Sequence, residues 1–112
     1  MSGAEAAVDV QATLAALTAT AVQQAILRWC GKVQEIYICG GGAHNAELLR
    51  QLRQLLPQVA VHTTEKLGLA PDWVEAVAFA WLAQRTLAAQ PGNLPEVTGA
   101  CGLRVLGGVY QK

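Results

Sequence analysis

One stretch decides the fold of this chain: Ile36-Tyr37-Ile38-Cys39-Gly40-Gly41-Gly42-Ala43-His44-Asn45. Its first four residues form a short apolar run, which is typical of a strand covered on both faces in a parallel sheet. The three glycines let the backbone turn sharply and leave no Cβ between the main chain and a ligand. Asn45 is a residue type that caps helices. The stretch predicts a strand, a turn and a helix start, which suits a nucleotide or phosphate but also occurs as a plain tight turn.

The segments around this stretch alternate between helical and strand patterns. Asp9 is a plausible N-cap for the first helix, and Gly31 lies where a left-handed residue would end it. A strand, a helix and a strand joined by short links imply a right-handed parallel crossover. The fold class is therefore α/β, with a small parallel sheet and flanking helices. Helical patterns cover residues 9–29, 45–56 and 71–89, and strand patterns cover residues 33–39 and 59–62.

Two ends of the chain are expected to be less regular. Residues 1–8 are predicted to be disordered or an expression remnant, which leaves 9–112 as one domain. Residues 103–110 are apolar but interrupted by Gly107 and Gly108. They are predicted to form a weak final segment that crosses toward another part of the molecule.

The composition limits the classes of function. Eight basic and eight acidic side chains cancel in the 112 residues, so a nucleic-acid ligand is not expected. Hydrophobic residues make up 53% and charged residues 14%. This apolar excess favours a missing partner surface over an unusually complete core. No signal-peptide pattern is present, and no apolar run is expected to be as long as the ~18–20 residues of a membrane span.

The cysteines indicate a reduced compartment. Cys30, Cys39 and Cys101 are odd in number and widely spaced, which fits neither a zinc site nor a disulfide framework. We expect a cytoplasmic protein in which Cys39 and Cys101 are small buried residues.

The third helix, which is expected to begin at Pro71, is apolar almost all the way round. Such a helix should be buried from several directions. Trp73, Phe79 and Trp81 are accordingly assigned to packing, with sugar stacking by Trp73 as a minor alternative.

Four segments resemble the anhydro-N-acetylmuramic acid kinase family, in the same order along the chain. The most specific is the Asp-Trp-Val-Glu-Ala sequence at residues 72–76. The resemblance covers nearly the whole chain but only the C-terminal part of a much longer enzyme. The four segments are residues 9–14, 40–45, 67–82 and 91–100.

The resemblance implies both a fold and a reaction. The family belongs to the sugar kinase, Hsp70 and actin superfamily, whose two α/β lobes close on ATP, so this chain would be a partial second lobe. The family converts 1,6-anhydro-N-acetylmuramic acid, ATP and water to N-acetylmuramic acid 6-phosphate in cell-wall murein recycling. Mg²⁺ is implied through the nucleotide, because metal ions neutralise developing charge in phosphoryl transfer.

The resemblance also implies what this chain lacks. The family's catalytic aspartate and first phosphate loop lie in its N-terminal lobe, and neither has a counterpart in these residues. We therefore expect no catalytic residue and no metal ligand here, and no activity from the chain alone. The expected partners are the missing N-terminal lobe and the sugar substrate, with a homodimer left open.

Site residues follow from the resemblance position by position. The nucleotide-binding set matches the family's adenosine segment, with Asn45 mainly a helix cap. An exposed loop histidine is favoured over ribose contact for the neighbouring His44. The nucleotide-binding residues are Gly40, Gly41, Gly42, Ala43 and Asn45.

Glu75 matches the glutamate that faces the sugar in the family. The alternative is structural, because Asp72 and Glu75 stand three apart at a helix start, which is the capping-box pattern. Asp72 is interpreted as a cap rather than a catalyst. The loop Thr98-Gly99-Ala100 is placed at the cleft without an assigned role.

Two other functions remain as alternatives. One is another sugar kinase of the same superfamily, against which the Asp-Trp-Val-Glu-Ala sequence speaks. The other is a non-catalytic interaction module that keeps the lobe as a scaffold.

Overall fold

The computed structural model describes residues 5–110 of the chain. These residues divide into two compact units, an N-terminal unit that ends at Asp72 and a C-terminal unit that starts at Trp73. The elements are, in order, α1 (Ala7–Trp29), β1 (Glu35–Ile38), a 3-10 helix (Gly40–His44), α2 (Ala46–Leu55), β2 (Ala60–Thr63), two shorter 3-10 helices (Thr64–Leu67 and Pro71–Trp73), α3 (Val74–Leu87) and α4 (Pro95–Thr98).

The two strands of the N-terminal unit are parallel, as the sequence predicts. Ile36 pairs with Val61 and Ile38 with Thr63, so both strands end at the same edge of the sheet. The glycine turn, residues 40–44, leaves that edge after β1. The 3-10 helix after β2 leaves it beside the turn. In open parallel sheets this is the edge at which ligands bind.

A small core holds the N-terminal unit together. Its centre is Leu52, which is 1% exposed and packs with Ala19, Leu49 and Val61. These side chains come from α1, α2 and β2, so the apolar stripe of α2 is buried as its amphipathic pattern predicts. The Gln23 side-chain amide also donates to the Leu55 carbonyl oxygen at 2.9 Å, which adds a polar contact between α1 and α2.

The expectation that β1 is buried on both faces is wrong for the described residues. Glu35 is exposed, and Ile36, Tyr37 and Ile38 are only half-buried. Ile36 and Ile38 pack against the core, so the alternation of a strand points Tyr37 to the opposite face.

The first helix starts earlier than expected. It begins at Ala7, its N-cap position is Ala6, and no side chain caps it. Asp9 lies in the first turn instead, so its assignment as N-cap is wrong. The end agrees with the prediction, because Gly31 follows the helix with a φ of 65°.

By length and composition alone, α1 could cross a membrane, contrary to the expectation that no segment reaches that length. It has 23 residues and a mean hydropathy of 1.2 in its most apolar window. This is weak evidence, because signal sequences and core helices of soluble proteins have the same properties. Ala19 is its one buried residue.

The described part of the C-terminal unit has no core of its own. Not one of residues 73–110 is buried, although α3 carries apolar side chains on every side. Phe79 is 63% exposed and Leu87 78%. Within these residues, the prediction that α3 is buried from several directions is therefore wrong. Cys39 and Cys101, expected to be buried, are also exposed.

Residues 103–110 have no regular secondary structure, which confirms the weak final segment. They are held by hydrogen bonds within their own unit. The Asn93 side chain donates to the Gly102 carbonyl at 3.0 Å and accepts from the Arg104 amide at 2.6 Å. The Thr86 hydroxyl, on α3, donates to the Leu106 carbonyl.

Candidate functional site

Of the three glycines in the turn, one is required by its backbone conformation and two are not. Gly40 has a φ of 65°, in the left-handed region that favours glycine. Gly41 lies outside that region, and a Cβ built there would meet nothing within 4 Å. A Cβ on Gly42 would make ordinary contact with the Leu48 side chain at 3.6 Å. The backbone requirement for glycine therefore falls on Gly40 and not on Gly41.

The end of the turn is fixed to the helix that follows it. The Asn45 side-chain oxygen accepts from the Leu48 amide at 3.0 Å, which confirms Asn45 as the cap of α2. The Asn45 amide donates to the Gly42 carbonyl at 3.2 Å. Ala43 is 8% exposed, so its side chain faces the inside of the unit. A ligand on the turn would therefore meet the Ala43 backbone rather than its methyl group.

His44 and Asp72 form a pair that the sequence did not predict. The His44 Nε2 and Asp72 Oδ1 atoms are 2.7 Å apart, and both side chains are 63% exposed. The assignment of Asp72 as a helix cap is wrong, because Trp73 occupies the N-cap position of α3 and no side chain caps it. The two residues are 28 positions apart, and the only sequence signal is that both follow strands that end at one edge.

Thr64 is a second residue at this edge that the sequence did not single out. Its hydroxyl oxygen is buried and has no hydrogen-bond partner between residues 5 and 110. Because Ile38 pairs with Thr63, Thr64 comes next to Cys39, directly before the glycine turn. Buried hydroxyls are nearly always satisfied by protein, water or ligand, so this edge has an unmet polar requirement.

A groove of about 510 Å³ runs along α1 to the start of α2. Its size is in the range of small-molecule sites. Glu47 lies in the wall of this groove. A hydrogen bond from Arg50, and a weaker one from Gln51, lower its pKa to about 2, so this carboxylate is ionised at neutral pH. The lining residues are Val8, Gln11, Ala12, Leu14, Ala15, Thr18, Asn45, Glu47 and Leu48.

A polar cluster covers the exposed face of the sheet. The Tyr37 and His62 rings, which are cross-strand neighbours, lie 5.7 Å apart. The Lys66 amine is 2.9 Å from His62 Nε2 and 3.6 Å from a Glu35 oxygen, so Lys66 pairs with Glu35 rather than with the adjacent Glu65. A hydrogen bond from Tyr37 lowers the pKa of Glu35, and the same bond raises the pKa of Tyr37. These groups satisfy one another.

Glu75 lies exposed in the first turn of α3. It makes no hydrogen bond or ion pair within the described part of the chain, and the capping box that would explain it structurally is not formed. Its role toward the sugar stays a prediction. In the loop assigned to the cleft, Thr98 donates to the Leu94 carbonyl at 3.0 Å and Gly99 ends α4 with a φ of 70°, so both have local structural roles.

No three of the histidine, cysteine, aspartate and glutamate side chains in residues 5–110 lie together as a metal site would require. The groups that do converge at the sheet edge are a glycine turn, a histidine–aspartate pair and a buried hydroxyl. Such a set can bind and orient a ligand through backbone and hydrogen bonds.

Comparison with known proteins gives one family. The family model described as anhydro-N-acetylmuramic acid kinase matches residues 1–112. The anhydro-N-acetylmuramic acid kinase of Thiobacillus denitrificans is 55% identical over 90% of this chain and 27% of its own length. That of Chromohalobacter salexigens is 50% identical over 98% of this chain and 31% of its own. That of Pseudomonas syringae pv. tomato is 52% identical over 91% of this chain and 28% of its own length. The chain thus spans less than a third of these relatives.

Proposed function

This chain belongs to the anhydro-N-acetylmuramic acid kinase family, and we propose that it is the C-terminal, ATP- and sugar-binding portion of such a kinase. The full-length protein would convert 1,6-anhydro-N-acetylmuramic acid, ATP and water to N-acetylmuramic acid 6-phosphate in murein recycling. The name that the relatives share supports the kinase activity and the sugar.

The structural proposal is a partial second lobe of the actin-like ATPase fold. The parallel strands and flanking helices are consistent with such a lobe. The missing N-terminal lobe would cover apolar surface that residues 5–110 leave exposed, including that on α1 and α3. Covering it would gain about 25 cal/mol for each Å² of apolar surface removed from water. A second copy of the chain remains an additional partner to be tested.

The observation that carries the nucleotide assignment is the open space at Gly41. Neither its backbone angles nor its neighbours require glycine there. A physical reason for having no side chain there is the close approach of a ligand to the main chain. A nucleotide lying against Gly40–Ala43 would use that space, next to the capped start of α2 at Asn45.

The chain's own residues and Mg²⁺ would both contribute to holding the nucleotide and the sugar. The turn's backbone would contact the adenosine, and Asn45 would hold the turn against α2. Mg²⁺, bound through the nucleotide, supplies charge neutralisation during phosphoryl transfer. Glu75 would accept a hydrogen bond from a sugar hydroxyl.

The location that we propose is the cytoplasm. The three cysteines are free, which is consistent with a reducing compartment. In this proposal α1 is a lobe helix whose exposed face packs against the rest of the enzyme.

The test is steady-state kinetics on the full-length protein and on its Gly41→Val variant. The wild type should form ADP only when the anhydro-sugar is present. The variant should raise the KM for ATP by roughly tenfold or more, about 1.4 kcal/mol of binding, with little change in the KM for the sugar. Gly102→Val is the matched control, because its nearest neighbour is the flexible end of Arg104 at 3.4 Å.

Three outcomes would contradict parts of the proposal. A wild type that phosphorylates a different sugar would indicate another kinase of the superfamily. A full-length protein without nucleotide binding would indicate an interaction module. Unchanged ATP affinity in a folded Gly41→Val variant would make the turn purely structural.

A further inference from the structure

The His44–Asp72 pair joins two segments that leave the same sheet edge. His44 is the last residue of the glycine turn, and Asp72 comes from the chain that follows β2. Their 2.7 Å contact is short enough for a strong hydrogen bond. Both side chains are largely exposed, and exposed pairs of this kind contribute little to stability. The short contact between Asp72 and His44 is therefore better explained by its effect on the His44 ring.

The chemistry of the pair fixes the histidine tautomer. An ionised aspartate can only accept hydrogen bonds, so the proton must lie on His44 Nε2. In the neutral ring the other nitrogen, Nδ1, then has a free lone pair and acts as an acceptor. Carboxylates commonly orient histidine rings in this way where the second nitrogen has a task.

We propose that Asp72 is a positioning residue that holds His44 with Nδ1 ready to accept a hydrogen bond from a ribose hydroxyl of the nucleotide. This rests on the proposed function, which places a nucleotide on the glycine turn. An acceptor one residue beyond Ala43 suits a ligand group that donates. A nucleoside triphosphate offers two kinds of donor, the ribose hydroxyls and the amino group of the base. The ribose is favoured because it has two hydroxyls that can donate, whereas the base has one amino group.

The experiment measures kcat/KM for ATP, 2′-deoxy-ATP, 3′-deoxy-ATP and inosine triphosphate in the full-length protein. The assays are run at about pH 8, above the range in which histidine side chains ordinarily titrate. The wild type should lose about 2- to 12-fold with one of the deoxynucleotides, as expected for one neutral hydrogen bond. His44→Ala should treat ATP and that deoxynucleotide equally.

Asp72→Ala separates positioning from contact. The alanine removes the group that accepts from Nε2, so the ring loses the hydrogen bond that holds its orientation and its tautomer. The discrimination should fall in this variant as in His44→Ala, and the double variant should lose nothing further. His62→Ala is the matched control, because His62 contacts Lys66 and Tyr37 in the polar cluster instead. It should keep the wild-type discrimination.

Each result decides between the possibilities. Undiminished discrimination in folded His44→Ala overturns the ribose contact. If His44→Ala loses only the discrimination between ATP and inosine triphosphate, Nδ1 accepts from the base amino group, and the ribose contact is again overturned. Normal discrimination in Asp72→Ala overturns the positioning role. Failure of the proposed function looks different, because the wild type would then use no nucleotide.

Discussion

The two units of this chain differ in where their apolar residues lie. In the N-terminal unit α2 separates them, since it has a leucine stripe that packs on α1 and β2 and a polar side that carries Glu47, Arg50 and Gln51. The C-terminal unit does not separate them, and none of residues 73–110 is buried. An amphipathic helix needs one partner surface, whereas a helix apolar on all sides needs several. The first unit therefore contains its own core, whereas the second unit needs a partner surface to bury its apolar side chains.

The largest expected effect concerns whether the two units together are enough for catalysis. The 112-residue chain alone should form no ADP above background from ATP and the anhydro-sugar. The family's catalytic aspartate and first phosphate loop are expected in the segment that this chain lacks, and the chain spans about 30% of its relatives. Coupled ADP detection on purified chain measures this. Turnover that survives removal of contaminating kinases would show that the chain is a complete catalyst.

The next prediction compares core truncations in the two units of the full-length protein. Leu52→Ala should cost about 2–5 kcal/mol, because a buried leucine loses its contacts and leaves a cavity. Phe79→Ala should cost about 3–5 kcal/mol if the missing lobe covers α3. Urea unfolding curves give both values, with exposed Gln58→Ala as control. A cost within about 0.5 kcal/mol for Phe79→Ala would mean that α3 stays exposed.

Glu75→Gln asks whether the C-terminal unit contacts the sugar. Losing a hydrogen bond to a charged acceptor should cost about 1.5–3 kcal/mol, or roughly 10- to 150-fold in kcat/KM for the anhydro-sugar. The melting temperature should change little, because Glu75 makes no capping bond. Glu96→Gln, at the matching first-turn position of α4, should leave the kinetics unchanged. Normal kinetics with a melting point several degrees lower would make Glu75 structural.

The smallest effect concerns acid and the N-terminal unit. Hydrogen bonds from Arg50 and Gln51 lower the pKa of Glu47 from 4.5 to about 2. Because the folded pKa is depressed, the stabilisation is complete above about pH 4.5 and is lost as the pH falls toward 2. Wild type should therefore exceed Glu47→Gln in stability at pH 7, and the gap should close across that window. Urea midpoints from pH 7 to 2 measure it, and a gap independent of pH would refute the carboxylate's role.

Local patterns predicted the elements well and their surroundings poorly. The amphipathic stripe gave α2, Asn45 gave its cap, and the short apolar runs gave two parallel strands, because each signal lies within a few residues. The burial of α3 could not be obtained in this way. Burial depends on what packs against a helix, and periodicity states only that something should.

The site shows the same division. The sequence by itself determined the glycine turn after β1 and, through four ordered segments, the family. Only the tertiary structure decided that Gly40 bears the unusual φ while Gly41 is free of constraint. It also decided that Asp72 contacts His44 instead of capping α3. The physical reason is that a cap depends on neighbours along the chain, whereas this contact exists because two parallel strands end at one edge and bring together residues 28 positions apart.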